Sequence, residues 1–539
     1  MKILFHPIKS IYWLITAAII FALFLICYTL NYETNDDPVM SYVMAGSFTG
    51  TGSEHVLFMN FMTTLLLKNL FTLAPAYNWY AGFFLIVHFL ALIQISFIMS
   101  KRNNTLAMFI IFFALIFVMQ GSLILKLQFT STAFVAGIAG LLSLLNYLTN
   151  KLHWKYLFIP MGFFILSGII RFECFIAIII IGVPISTYII YHQKLLKNVL
   201  PVFIILIIPC TLEISNTIYY NKTPETASAL DCVKHSQKFV NHPYLVDEGI
   251  LEQAGLSNND YALSMAYFRA DEKVFSCHNF SLLDEIASKD INYIKPFPIL
   301  YHYVFTTLLF PLYFIIVVFF LILGERKKRF LIIFLFLFNL LLFYLLTVYF
   351  KLPLRVYHPF IYAFCMIICF IMFPSINAAA KKVKYIAIPC FTLIAIIIFM
   401  QLSINKNISN AAAKIQQEQN DAIAHVNAHP EILFMNVGNT DPFHKPAIFA
   451  KLPQFLHHNY FDGATFQDMP AFKQLLEINS LNNLTSDIRN KEVVFISNDT
   501  PFYDAYKIFM GEHYNIQVSF EEYKLLPTAK KMVRKIELD

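Results

Sequence analysis

The chain has 539 residues, 58% of them hydrophobic and only 14% charged, with a formal net charge of +6. No soluble domain of this size can bury so much apolar surface, so the composition excludes a soluble enzyme and leaves a polytopic membrane protein, with no nucleic-acid partner expected.

The first apolar run, residues 11–30, is too long for a signal-peptide core. Tyr28-Thr29-Leu30-Asn31 is no small-residue cleavage site either, so the run reads as an uncleaved anchor. Directly after it stands Asn35-Asp36-Asp37-Pro38, two adjacent carboxylates at a membrane surface, where charge is kept for a purpose or because water reaches it. Ten further runs have the length and apolarity to cross a bilayer: 76–99, 105–123, 127–148, 157–170, 175–191, 200–219, 298–323, 330–350, 353–373 and 385–402. The expectation is therefore a mainly α transmembrane helix bundle of about eleven spans.

Lys2 and Lys9, Lys101 and Arg102, Lys151 and Lys155, Lys194 and Lys197, the run Arg326-Lys327-Lys328-Arg329, and Lys381, Lys382 and Lys384 all fall on one side if segment 56–73 does not cross. That segment carries Asn60, Lys68 and Asn69, and is expected as an interfacial helix on the outer face. The N-terminus then lies in the cytoplasm, and residues 31–75, 221–297 and the tail lie outside. The domain division expected is 1–404 for the membrane part and 405–539 for an extracytoplasmic domain. Within the tail, a polar helical stretch at 405–428 precedes β-like runs at 432–437, 493–496, 516–520 and 532–538, with helical patterns at 471–477 and 503–509 between them. A small layered α/β domain follows.

Cys27, Cys174, Cys210, Cys365, Cys369 and Cys390 lie in or beside apolar runs, where a thiol behaves as a small hydrophobe. Cys232 and Cys277 share the second outer loop and are candidates for a disulfide, two free thiols being the alternative. Gly-rich phosphate loops, His-Glu-x-x-His and Cys-x-x-Cys are all missing. His457-His458 reads as solvated histidines, because neighbours on a helix point apart and no third ligand is placed.

An acidic pair after the first span, an outer amphipathic helix, about eleven spans and an outer C-terminal domain together resemble the GT-C glycosyltransferases, notably bacterial relatives of protein mannosyltransferases and the aminoarabinose transferases of lipid A. The resemblance implies transfer of a sugar from a polyprenyl-phosphate carrier to a glycan, lipid or protein acceptor outside a bacterial cytoplasmic membrane. It makes Asp36 or Asp37 the general base on the acceptor hydroxyl, helix capping being the alternative role. Lys351-Leu-Pro-Leu-Arg355-Val-Tyr357-His358-Pro359 resembles the Arg-bearing start of a late span that faces the lipid phosphate in the family. Arg355 could instead snorkel to the headgroups. Lys126 and Arg171, each at an outer turn, could join it, or Arg171 could merely pair with Glu173.

The chain departs from nearer family members after Lys126, where Gln128-Phe129-Thr130-Ser131-Thr132 lacks an acidic residue. A second acidic site is sought instead at Asp260, with Arg269 following, although Asn258-Asn259-Asp260 also reads as a helix start. No cofactor is required; a divalent ion could be held by Asp36 and Asp37 with Asp260. The reading is an inverting membrane glycosyltransferase. A surface-polysaccharide polymerase or ligase, or a lipid or sugar transporter, is the alternative.

Overall fold

The computed structural model describes residues 6–193, 199–241, 248–266, 268–269, 271–287, 307–349, 352–374, 380–437, 447–449, 458–463, 465–483, 485, 487, 491–497, 500–523 and 533–538. It divides into two compact units. One comprises Met1–Asn31, Ala81–Ser215 and Ile294–Ala411; the other comprises Tyr32–Tyr80, Asn216–Tyr293 and Ala412–Asp539. The three stretches that charge placement puts outside the membrane thus fall almost entirely within the second unit.

Nine helices among the described residues are long and apolar enough to cross a membrane. They are Ser10–Cys27, Trp79–Arg102, Leu106–Leu125, Phe129–Asn150, Phe172–Gln193, Pro201–Tyr220, Arg326–Tyr349, Leu354–Met372 and Thr392–Ala428. Two further expected spans are shorter helices, Phe158–Ile170 with 13 residues and Leu309–Leu323 with 15. Residues 298–306 of the latter run and Cys390's side chain lie outside the described residues.

Within the first unit, the Phe129–Asn150 helix is buried on nearly every face. Its small residues let neighbours approach closely. A Cβ on Gly137 would stand 2.8 Å from Ile178, and one on Gly140 2.8 Å from Phe164, so the Phe158–Ile170 and Phe172–Gln193 helices pack directly on this backbone. A π-helical turn, Ile116–Gln120, interrupts the Leu106–Leu125 helix. Such turns commonly mark functional positions.

In the second unit, the segment expected to lie on the interface forms the helix Phe61–Leu73, started by Asn60, whose side chain accepts the Met62 N–H at 3.1 Å. The C-terminal part holds strands β1 (Ile432–Asn436), β2 (Tyr460–Asp462), β3 (Glu492–Ile496), β4 (Val518–Glu522) and β5 (Val533–Leu538). The sheet order is β2-β1-β3-β5-β4. β2, β1 and β3 are parallel, with Phe434 opposite Tyr460 and Val494, while β5 runs antiparallel to β3 and β4. The apolar runs of β1 and β3 suit strands covered on both faces. Helices Pro470–Ile478 and Thr500–Tyr514 accompany the sheet.

The loop at 268–275 completes this core. Phe268, almost fully buried, lies 5.4 Å from the Tyr506 ring and within 6.3 Å of Phe495, Phe502 and Phe509. Cys232 and Cys277 form a disulfide, Cα atoms 4.7 Å apart, joining helices Pro224–Asn241 and Cys277–Ala287. His235 and Asp284 tie the same two helices, Nδ1 to Oδ2 at 3.0 Å. The other described cysteines are free: Cys27, Cys174, Cys210, Cys365 and Cys369.

Candidate functional site

In the second unit, Asp36 and Asp37 occupy the first turn of the helix Asp36–Ala45, where the helix dipole favours negative charge. Gly46 ends it in the left-handed region, φ 76°, and its N–H returns to the carbonyls of Tyr42 and Val43. No side-chain cap closes the start of this helix.

The two carboxylates are housed differently. Asp37 is fully buried; Oδ1 accepts from the Tyr80 hydroxyl at 2.8 Å and Oδ2 from the Thr34 hydroxyl at 3.0 Å. Asp36 is half-buried. Behind Tyr80 lies Tyr32, ring centroids 5.9 Å apart, whose hydroxyl accepts from Asn78 at 2.8 Å. Burial pushes the Tyr32 hydroxyl pKa far up; the Asn78 bond opposes this and the charge of Asp37 adds to it.

The far end of the helix is fixed by aromatic contacts. The Tyr42 hydroxyl accepts from Gln419 at 2.9 Å, while Phe48 stacks on Phe466 at 4.1 Å and on Tyr460 at 6.3 Å. His458, expected to be solvated, is exposed, and its Nδ1 lies 3.0 Å from the Phe48 carbonyl; His457 lies outside the described residues.

Glu54 follows in the same loop, 2.5 Å from the Lys68 ammonium and 3.0 Å from the Tyr219 hydroxyl that donates to it. Partial burial alone would raise its pKa. The Lys68 bond, its own backbone and Tyr219 outweigh that and hold it at about 2.

The helix Asn258–Met265 ends before Arg269, whose backbone N–H donates to Gln467 at 2.6 Å. Asp260 does form the helix start anticipated for it, sharing a capping box with Ser257, and in addition its Oδ1 meets His513 Nε2 at 2.8 Å. Among the described residues one His/Cys/Asp/Glu group has a metal-like arrangement. It is Asp260, Glu512 and His513, ligand atoms all within 4.8 Å of one another; Asp36 and Asp37 take no part in it.

The first unit holds the expected cations Lys126, Arg171 and Arg355. Lys126, half-buried, lies between the Leu106–Leu125 and Phe129–Asn150 helices and interacts electrostatically with His358. Arg171 donates to the Thr130 hydroxyl at 2.8 Å and stands 4.9 Å over the Phe129 ring. Its approach to Glu173, at 3.5 Å, involves a carboxylate that is 78% exposed, so the pair is weak. Arg355 sits one turn before His358 on the Leu354–Met372 helix and therefore on the same face. Tyr357 packs against Phe343 at 5.1 Å, and the buried His358 Nε2 has no hydrogen-bond partner among the described residues. Lys351 lies outside them.

Sequence reasoning missed two sets of residues. Tyr80, Tyr32 and Asn78 carried no signal beyond being polar or aromatic. The second set is a buried network: Tyr362 donates to Gln120 Oε1 at 2.8 Å, Gln120 Nε2 to the His88 carbonyl at 3.1 Å, and His88 Nε2 lies 3.1 Å from the Thr132 hydroxyl. His88 and Gln120 were visible as polar residues inside apolar runs.

No family model matches this chain, and no curated protein matches it. Two solved structures are similar to it over 98% of its length and 97% of theirs. They are ArnT from Cupriavidus metallidurans in the apo state and the same protein bound to undecaprenyl phosphate, each at 11% identity, with TM-scores of 0.39 and 0.38.

Proposed function

We propose that this protein is an inverting glycosyltransferase that moves a sugar from a polyprenyl-phosphate carrier to an envelope glycan, lipid or protein on the outer face of a bacterial cytoplasmic membrane. The observation that supports it most is the interaction of Lys126 with His358, with Arg355 on the same helix face as His358 and Arg171 held at Thr130 and Phe129, just after Lys126 in the chain. Cations at the ends of apolar helices suit a phosphate carried on an apolar chain, with arginine able to grip two of its oxygens at once. Lys126 and Arg355 form no ion pair with a carboxylate among the described residues, so their charge is not already neutralised there.

Asp36 is the base in this reading. Both oxygens of Asp37 accept hydrogen bonds in a fully buried setting, which suits an anchor, whereas the lesser burial of Asp36 suits a base. Asp36 takes the proton of the acceptor hydroxyl as its oxygen bonds to the anomeric carbon. The bond from that carbon to the phosphate oxygen breaks, and the carrier phosphate leaves with its charge met by Lys126, Arg171 and Arg355. Attack from the opposite face inverts the anomeric centre.

The test is envelope sugar analysis of a deletion strain expressing wild type, Asp36→Asn, Asp37→Asn or Arg355→Ala at matched membrane levels. One sugar should vanish on deletion and return with wild type, but not with Asp36→Asn or Arg355→Ala. Asp37→Asn should instead lower thermal stability. Full restoration by Asp36→Asn with failure of Asp37→Asn at normal thermal stability would move the base to Asp37; full restoration by both Asn variants together with failure of Arg355→Ala would favour a polymerase or ligase, and full restoration by all three would end the transferase reading.

A further inference from the structure

The helix Asn258–Met265 and the helix Thr500–Tyr514, 253 residues apart in sequence at their point of contact, bring a histidine and two carboxylates together within the second unit. Asp260 is 1% exposed, His513 about a quarter exposed and Glu512 at the surface, so the group has a buried floor and an open side. We infer that Asp260, Glu512 and His513 bind a first-row divalent cation of the zinc class, which fastens the 258–265 helix to the C-terminal domain.

The donor set selects the ion class. One imidazole nitrogen with two carboxylates is a borderline ligand set that suits zinc, whereas calcium and magnesium favour oxygen alone. Bonds of about 2.0–2.2 Å place ligand atoms about 3.3–3.6 Å apart around a tetrahedral ion. Asp260 Oδ1 and His513 Nε2 now stand 2.8 Å apart, and all three ligand atoms lie within 4.8 Å of one another. A slight retreat of the imidazole and a rotation of the exposed Glu512 side chain complete the arrangement, with water as a fourth ligand.

The surroundings hold the carboxylates as an outer shell would. Ser257 Oγ and Asn259 Nδ2 each donate to Glu512 at 3.1 Å, and the Ser257 N–H donates to Asp260 Oδ2 at 2.8 Å. Among the described residues neither carboxylate forms an ion pair with Lys or Arg. Two negative charges therefore face one imidazole, and a divalent cation balances them.

The experiment uses the full chain, purified without a polyhistidine tag, stripped with chelator and titrated with zinc chloride, with bound metal and thermal unfolding both measured. Wild type should bind one equivalent and unfold at higher temperature, with no comparable shift from magnesium. Glu512→Gln and His513→Gln should bind about tenfold more weakly or worse, while His429→Gln, which removes an exposed histidine from another surface, should behave as wild type. Glu512 is exposed, so its variant keeps the fold intact. Absence of zinc binding in wild type, or binding unchanged in both site variants, overturns the proposal. This outcome is independent of the sugar-transfer reading.

Discussion

At the residue scale, adjacent and chemically identical side chains take different work from their surroundings. Asp37 is fully buried between Thr34 and Tyr80, while its neighbour Asp36 is only half-buried. Glu54 shows the same principle in a measurable form. Its pKa is depressed from 4.5 to about 2, so the stability it contributes is present above 4.5 and lost as the pH falls through the window between those values. Thermal unfolding of wild type should therefore decline more steeply from pH 4.5 downwards than that of Glu54→Gln, and parallel curves would refute the assignment. The acidic pair itself was legible, because it is local and sits at the edge of an apolar run. Its partner Tyr80, 43 residues away, was not, since nothing in a tyrosine at the start of a span announces a carboxylate beside it. Asp260 was legible as a helix start, but His513 could not be tied to it by spacing.

At the element scale, the Phe129–Asn150 helix owes its central position to glycines. Gly137→Val would drive a side chain into Ile178, and the resulting overpacking should cost about 1–3 kcal/mol. A clear fall in detergent-solubilised unfolding temperature should follow, while Gly162→Ala, with open space around its Cβ, should change little. Most elements could be read directly from hydrophobic runs. The strands at 432–436 and 492–496 match their expected positions within a residue, because buried strands are continuous apolar stretches, and the strand at 533–538 lies within a residue of its expected start. β2 escaped notice because three residues, Tyr460–Asp462, are too few for any periodicity. The polar stretch at 405–428 was expected as a separate helical segment, yet it continues an apolar helix into one 49-residue element, Ala380–Ala428, since no Gly or Pro follows Pro389 to stop it before residue 428.

At the scale of the whole molecule, the second unit draws on three separate stretches of chain, and the disulfide staples two helices within one of them, Asn216–Tyr293. Closing a loop between residues 45 apart should contribute about 2–4 kcal/mol. Cys232→Ser should lower the unfolding temperature and abolish its sensitivity to reductant; persistence of that sensitivity would point to another bond. A stable disulfide agrees with an oxidising compartment for the 221–297 loop, the side assigned to it by lysine and arginine placement. Which stretches would share a core was not legible, because long-range packing leaves no spacing signature. Phe268 illustrates what that sharing entails. The aromatic ring at the centre of the Phe495, Phe502, Tyr506 and Phe509 cluster is supplied by a loop encoded more than two hundred residues upstream. The C-terminal segment is therefore not a transferable module: recombination that exchanged it between related chains without the 268–275 loop would inherit a hole in its core, so the two must diversify together.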